Sequence, residues 1–557
     1  MLNVLATGMG KTNVITWQME AFCQRGLKKQ MAMAHREELL GQLSARVASL
    51  CPDFYVTQEG AGEKADPAAD ICVASVQSVG RLDNRCIEIF KPEVIFTDEA
   101  HRSAAPTYQC AYEKAGVYSN QCYSIGMTAT PHRMDNQPVF GHSDLTPYQI
   151  VSYSKTLTQA IREGWLCDIR GYRCKSSVDI SKIASDFGDY DAKELNDAIN
   201  VEARNILAFN QWREVADGKL TIVFCVSVEH AKSVTTTFTS RGVNARYVEG
   251  KMHREDRKDV IEMFKDGKLT VLVNVDIATE GLDVPKAECV LILRPTKSFA
   301  LYTQMIGRVA RTLPGIIDGF PEQDQAEERI SRILSSEKPS GIVIEIVDKS
   351  DDAVQRMLPS IASSLGLPPR MNMEGKTSTE VAESLEKIDK SQLAVLMLRD
   401  VDFSDLSTEL KSVSIMDELR VAENVPGRPS LSWINLSGDN RSIYISCGNG
   451  RDATLKEDAL GNWTLTMRSK DKIHEFEAGA HYDTALGRSE ATIKKLWPDA
   501  VRIVTRARKG LESEASPAQR RLVKLLDPNI DQSVLLSLTK LEASNVIDLL
   551  RKRQGIQ

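Results

Sequence analysis

The sequence predicts an α/β protein with two tandem parallel sheets, followed by a helical segment, a small β-containing module and a helical tail. Three observations carry that reading. Short apolar runs separated by helix-length segments occur in two series, as βαβ units and hence parallel sheets require. The first run leads into Ala6-Thr7-Gly8-Met9-Gly10-Lys11-Thr12, a glycine loop of the kind that joins a strand to a helix. After Asp348 the alternation stops and the pattern changes. The 557 residues fit three or four domains at about 150 residues each.

Residues 1–165 hold the first series: Asn3–Ala6, Gln30–Ala34, Ile71–Val76, Val94–Thr97 and Cys122–Met127. Residues 166–350 hold the second: Thr221–Val226, Ala245–Val248, Thr270–Val275, Cys289–Leu293 and Gly341–Ile346. Between the two, Ser176–Trp212 reads as a mainly helical connection. Residues 351–425 read as a helical, acidic accessory segment with a break at Gly366-Leu367-Pro368-Pro369. Val425-Pro426-Gly427-Arg428-Pro429 marks a linker into a small α+β module over 426–500, with strands at Ser442–Cys447 and Trp463–Met467. Its Trp433, Tyr444 and Trp463 could stack on bases, but core packing is the favoured reading. In the tail, 501–557, Ser516-Pro517 offers an N-cap with proline at the first helical position. Thr539-Lys540-Leu541-Glu542 is a capping box.

Composition narrows the class. Hydrophobic residues are 42% and charged residues 26%, ordinary for a globular protein. No run approaches the ~18 apolar residues of a membrane span, and the first residues lack a signal peptide's basic region. We expect a cytoplasmic protein, nucleoid-associated or in the host cytoplasm if phage-encoded, with no membrane partner. The eleven cysteines are scattered without CxxC spacing, so a cysteine metal site is not expected. Net charge is −6, yet residues 501–557 carry eleven Lys and Arg against six acids. A tail of that charge suits phosphate contact or simply a solvated helical surface.

The chemistry-bearing residues stand at strand ends. In the loop after the first run, Thr7, Gly8 and Gly10 let backbone amides approach phosphate oxygens at a helix N-terminus. Lys11 can then reach the β- and γ-phosphates, and the Thr12 hydroxyl can bind Mg²⁺. The longer form of this pattern has glycine where this chain has Leu5. Asp98-Glu99-Ala100-His101 follows the strand Val94–Thr97 directly. Asp98 is suited to hold the metal and Glu99 to orient or deprotonate an attacking water. In Gln304-Met305-Ile306-Gly307-Arg308-Val309-Ala310-Arg311 the two arginines lie three apart, on one face of a helix. Paired guanidiniums suit a phosphoryl group whose charge spreads over equatorial oxygens.

In order and spacing, across about 350 residues, these segments resemble the superfamily 2 helicases, of DEAD/DEAH-box type, whose motor is two RecA-like domains around one ATP. Ala6–Thr12 resembles motif I, Asp98–His101 the DEAH form of motif II, and Thr128-Ala129-Thr130 motif III. Ala34-His35-Arg36-Glu37-Glu38-Leu39 is similar to motif Ia, and Ala74-Ser75-Val76-Gln77-Ser78 to the nucleic-acid motif that follows it. Val223–Ser227, Asn274–Pro285 and Gln304–Arg311 resemble motifs IV, V and VI. The resemblance implies that Lys11, Thr12, Asp98, Glu99, Gln304, Arg308 and Arg311 surround ATP and Mg²⁺, with Asp283 near the ribose and triphosphate. It implies that His101, Thr128 and Thr130 couple hydrolysis to the track, and that Arg36, Ser75 and Gln77 lie on it.

Thr279-Glu280-Gly281-Leu282-Asp283 and Arg294-Pro295-Thr296-Lys297-Ser298 resemble the DNA-directed group, which includes XPB-like and RadD-like proteins and the mitochondrial branched-DNA helicases. The RadD-like zinc cysteine cluster is not in the sequence. Only five residues precede Ala6, so the upstream segment that recognises adenine in this group is missing, and we expect a shortened start. The expected function is an ATP-dependent DNA helicase or translocase, with DNA as the nucleic-acid partner and a nuclease or repair partner unidentified. The alternatives are an RNA helicase of the same superfamily, the motor subunit of a restriction or defence assembly, and a nucleic-acid-binding scaffold with a dead ATPase.

Overall fold

The computed structural model describes residues 1–35, 37–129, 139–140, 146–183, 185–186, 189–275, 283–322, 324–350, 358–368, 370–388, 401–407, 431, 433–435, 442–448, 451–457, 462–469, 472–479, 482–498, 514–527, 530 and 532–553. They fall into two compact units, Met1–Leu367 with Met373–Thr379, and Pro368–Asn372 with Glu380–Gln557.

The first unit holds two parallel sheets. The first is built from β1 (Leu2–Leu5), β2 (Gln30–Ala34), β3 (Val56–Glu59), β4 (Ile71–Ser75), β5 (Val94–Thr97), β6 (Tyr123–Thr128) and β7 (Val151–Lys155), in the order β3-β4-β2-β5-β6-β1-β7. Every pairing is parallel. Consecutive residues of β2 split between the faces: Ala32 and Ala34 pack with Phe96 and Met127, Met31 and Met33 with Ile95 and Tyr108. Burial on both faces explains why these strands read as unbroken apolar runs. β3 and β7 escaped sequence reading because they are polar edge strands, Val-Thr-Gln-Glu and Val-Ser-Tyr-Ser-Lys.

The second sheet contains β8 (Asp168–Asp179), β11 (Thr221–Phe224), β12 (Ala245–Val248), β13 (Val271–Asn274), β14 (Cys289–Ile292) and β15 (Ser340–Lys349), in the parallel order β12-β13-β11-β14-β15-β8. A hairpin of β9 (Ser185–Asp186) and β10 (Asp189–Tyr190) lies between β8 and the helices. The expected helical connection, Ser176–Trp212, is therefore corrected. Its start completes β8, which pairs with β15 from Asp168 to Asp179, and among the described residues helices occupy only Ala192–Ile199 and Glu202–Ala216. Long strand pairing outweighs the local helical pattern because it satisfies a whole ladder of backbone groups. Trp212 is buried under this sheet and donates from Nε1 to Thr221 Oγ1 at 2.8 Å.

In the second unit, two-residue strands β16 (Met371–Asn372) and β17 (Val401–Asp402) pair in parallel, within the stretch read as helical. An antiparallel sheet follows: β18 (Ile434–Asn435), β19 (Ser442–Gly448), β20 (Arg451–Glu457), β21 (Trp463–Ser469) and β22 (Lys472–Gly479). One face, with Ile443, Ile445, Leu455 and Leu465, packs on Ala485 and Ile493 of helix Tyr482–Leu496. Trp433 and Trp463 are buried in that core, while Tyr444 is half-buried on the other face. In the tail, Ser516 caps helix Pro517–Leu526 in a reciprocal box with Gln519. Thr539 and Glu542 form the expected box ahead of helix Lys540–Arg553. No described helix is long and apolar enough to cross a membrane.

Candidate functional site

β1 ends at Leu5 and the chain turns through Ala6–Gly10 before helix Lys11–Gln24 begins. Gly8 at φ +98° and Gly10 at φ +73° hold backbone conformations that disfavour side chains, so glycine is required for the turn itself. A Cβ on Gly8 would also stand 3.1 Å from Arg311 Cγ and 3.2 Å from Leu166 Cδ2. The loop is thus packed directly against the arginine segment that belongs to the second sheet. Thr7 is buried, and its Oγ1 has no hydrogen-bond partner among the described residues. The backbone carbonyl of Thr12 accepts from Thr16 Oγ1 at 2.9 Å.

Across the loop, β5 delivers Asp98 and Glu99. Glu99 takes a left-handed conformation at φ 51°, ψ 51°, strain of the sort that collects at functional sites. Its backbone amide donates to Asp98 Oδ1 at 2.9 Å. Glu99 Oε1 lies 3.7 Å from Lys11 Nζ, and Oε2 lies 3.5 Å from His101 Nδ1. Burial alone would push the Glu99 carboxyl up, but the charges of Lys11, His101, Arg308 and Arg102 hold it below its ordinary value. A charged, buried carboxylate facing a lysine can accept a proton from water or anchor it. His101 Nδ1 is also 3.2 Å from Thr128 Oγ1 at the end of β6, so the two are in hydrogen-bond contact.

Behind these residues sits a hydroxyl cluster that motif reading missed. Tyr112 OH is 2.9 Å from each of Thr97 Oγ1, Ser103 Oγ and Tyr148 OH. It ties the end of β5 to the turn after His101. Nothing in the spacing of Thr97, Ser103, Tyr112 and Tyr148 announces it, because each comes from a different element.

From the second sheet come Gln304, at the end of helix Phe299–Ile306, and Arg308, which are 4% and 6% exposed. Gln304 Nε2 has no hydrogen-bond partner among the described residues. The expected helix face carrying both arginines is corrected: the α-helix stops at Ile306. Arg308 and Val309 continue as a tighter turn, their amides bonding Met305 and Ile306 three residues back. Residues three apart still share a side in such a turn. Arg311 is ion-paired with Asp283.

The remaining predicted positions are less gathered. Ser75 closes β4 and is 2% exposed, whereas Gln77, in the short helix that follows, is exposed. Arg36, Thr130 and residues 279–282 lie outside the described residues. Left-handed glycines, a lysine, a carboxylate pair and the buried Thr7 Oγ1, unpartnered among the described residues, make a donor and acceptor set that fits a Mg²⁺-bound polyphosphate.

Residues 1–133 match the family model described as type III restriction enzyme, res subunit, and residues 202–312 that of the helicase conserved C-terminal domain. A putative ATP-dependent helicase, IRC3, of Saccharomyces cerevisiae is 30% identical over 319 residues, covering 55% of this chain and 45% of that protein. A putative mitochondrial ATP-dependent helicase, irc3, of Schizosaccharomyces pombe is 32% identical over 319 residues, covering 56% and 51%. The chain spans about half the length of these curated relatives. Among solved structures, the ATP-dependent type ISP restriction-modification enzyme LlaBIII bound to DNA aligns at TM-score 0.45 and 17% identity, covering 71% of this chain and 28% of that one.

Proposed function

Because the chain belongs to superfamily 2 of the helicases, we propose that it is an ATP-dependent DNA helicase or translocase that moves along or remodels DNA, branched DNA included. The observation that carries this reading is the convergence of Lys11 and Glu99 from one parallel sheet with Arg308 and Arg311 from the other, around one glycine loop.

In this reading Lys11 binds the β- and γ-phosphates and the loop amides cradle them. Mg²⁺, held by Thr12 and Asp98, would neutralise charge developing on the phosphate oxygens. Glu99, kept ionised by Lys11 and its cationic neighbours, positions the attacking water and takes its proton. Arg308 and Arg311 stabilise the transferring group from the second sheet, so ATP draws the two sheets together and its loss releases them. His101 passes that change to Thr128. Asp283 keeps Arg311 oriented and lies near the ribose and triphosphate. Arg36, Ser75, Gln77 and Thr130 serve the track and its coupling, with backbone phosphates as the main contacts.

DNA is favoured over RNA by the 279–283 and 294–298 segments, which resemble the DNA-directed group. The match to a restriction-enzyme subunit favours a second reading, in which the chain is the motor of a larger assembly whose nuclease is a separate partner. Domains at 1–165 and 166–350 form the motor in either case, and 351–425, 426–500 and 501–557 are accessory. The test is steady-state ATP hydrolysis with single-stranded, duplex, forked and four-way DNA, and with RNA, beside Glu99→Gln. Stimulation by DNA that disappears in Glu99→Gln supports the motor. Stimulation by RNA alone makes it an RNA helicase. Salt-sensitive DNA binding without hydrolysis makes it a scaffold.

A further inference from the structure

Arg311 is held from behind by a lysine that the loop chemistry does not use. Lys338 is 2% exposed and stands just before β15. Its Nζ donates to the Pro285 carbonyl at 2.7 Å and to the Arg311 carbonyl at 2.8 Å. Cys167 closes the same knot: its amide donates to Ala310 O at 2.7 Å, and its Sγ lies 3.4 Å from Arg311 O and 3.5 Å from Lys338 O. Among the described residues Lys338 makes no ion pair. An ammonium buried against carbonyls alone costs stability that an apolar side chain of similar length would not.

The two carbonyls it joins belong to two different functional segments. Pro285 follows Asp283 by two residues, and Arg311 ends the segment that carries Arg308. Asp283 and Arg311 form an ion pair, and a Cβ on Gly8 would stand 3.1 Å from Arg311 Cγ. Cys167 follows Leu166, whose side chain packs on Gly8 beside Arg311. A single ammonium therefore sets the spacing between the Asp283 and Arg311 backbones, and hence where their ion pair meets the glycine loop.

We infer that Lys338 is a positioning residue for Arg311, clipping the 283–285 and 308–311 segments together so that the guanidinium faces the nucleotide. The inference rests on the reading of Arg311 as part of the ATP site. Burial lowers the Lys338 ammonium to about 8; Cys167 and Glu288 oppose that shift and Arg311 adds to it. Asp283 faces the cluster through Arg311, and Asp168 through Cys167. Above that pH the charge is lost. A neutral amine donates more weakly to the same carbonyls.

The test measures DNA-stimulated ATP turnover by the full chain, with Arg311→Ala, Lys338→Met, Lys338→Arg and the double variant Lys338→Met/Arg311→Ala. Lys338→Met is expected to lower kcat by about tenfold or more while the KM for ATP changes little, as for an interaction made only in the transition state. The double variant is expected to be no slower than Arg311→Ala, because both changes remove the same guanidinium placement. In the unmodified chain kcat is expected to fall as pH rises through about 8, and Lys338→Arg to keep its rate over that range. Additive losses in the double variant, or identical pH profiles for the unmodified and Lys338→Arg chains, overturn the inference even if Lys338→Met fails to fold. Full turnover by Arg311→Ala removes the ATP-site reading of that residue and this inference with it.

Discussion

Gly307 packs directly on Thr7: a Cβ built on Gly307 would lie 2.5 Å from Thr7 Cβ and 2.8 Å from Thr7 Cγ2. The glycine has ordinary helical dihedrals, φ −62° and ψ −13°, so alanine is conformationally allowed there; the main obstacle is the other sheet's loop, and the Thr303 carbonyl oxygen, 3.1 Å from that Cβ, is a lesser one. Gly307→Ala is therefore expected to keep the sheets separated and to lower ATP turnover by about tenfold or more. Local helix propensity would favour alanine by up to about 1 kcal/mol, so a large drop in melting temperature is not expected. Turnover and thermal denaturation measured side by side decide it, and unchanged turnover would show that these loops need not meet.

Glu99→Gln keeps the shape of the side chain and removes the charge that Lys11 and His101 face. Loss of a positioned general base typically costs about 10²–10⁴ in rate. The expected outcome is turnover reduced by that order with ATP binding retained, read by single-turnover hydrolysis beside equilibrium binding of a fluorescent ATP analogue. Equal losses in binding and in rate would mean that Glu99 serves the ground state.

His101 and Thr128 meet across 3.2 Å, one beside Glu99 and the other at the end of β6. Thr128→Val removes the hydroxyl and conserves volume. ATP hydrolysis without nucleic acid is expected to change less than about threefold, whereas stimulation by DNA is expected to fall by more, since the contact joins the carboxylate to a separate strand end. Strand displacement per ATP consumed is the measurement. Parallel losses in basal and stimulated rates would make the pair purely structural.

Much of this was legible because the fold puts its chemistry at the ends of buried parallel strands. β2, β5 and β12 have the bounds that their apolar runs predict, and Lys11, Asp98 and Glu99 follow strands whose sequence is unmistakable. What could not be read has a common cause: it depends on contacts between elements. Tyr148 reaches Ser103 across 45 positions, and Lys338 reaches Pro285 across 53. β3, β7 and β8 gain their stability from neighbours rather than from a local pattern. The helix ends at Ile306 just before Gly307, a poor helix former, and what the sequence does not show is the contact between elements there, the packing of Gly307 on Thr7.

His230 gives a stability prediction with a definite sign. It is fully buried in helix Val228–Thr239, with Nε2 3.2 Å from Asn205 Oδ1, and burial together with the charge of Arg204 lowers it to about 3. The folded chain therefore keeps a neutral ring at pH values where the unfolded chain, with an ordinary histidine near 6.5, binds a proton. Above about pH 6.5 neither state is protonated and the contribution is constant. Below it, the unfolded state gains a proton that the folded state does not, so stability falls towards pH 3 by up to roughly 1.4 kcal/mol per pH unit. His230→Leu removes this titration while leaving all other acid-sensitive groups in place. Its melting temperature starts lower at neutral pH, because Asn205 Oδ1 loses its contact with the ring, but it should decline less steeply than the unmodified chain between pH 7 and 5. The slope, not the level, is the readout, and parallel slopes would mean that the ring is protonated in the folded protein.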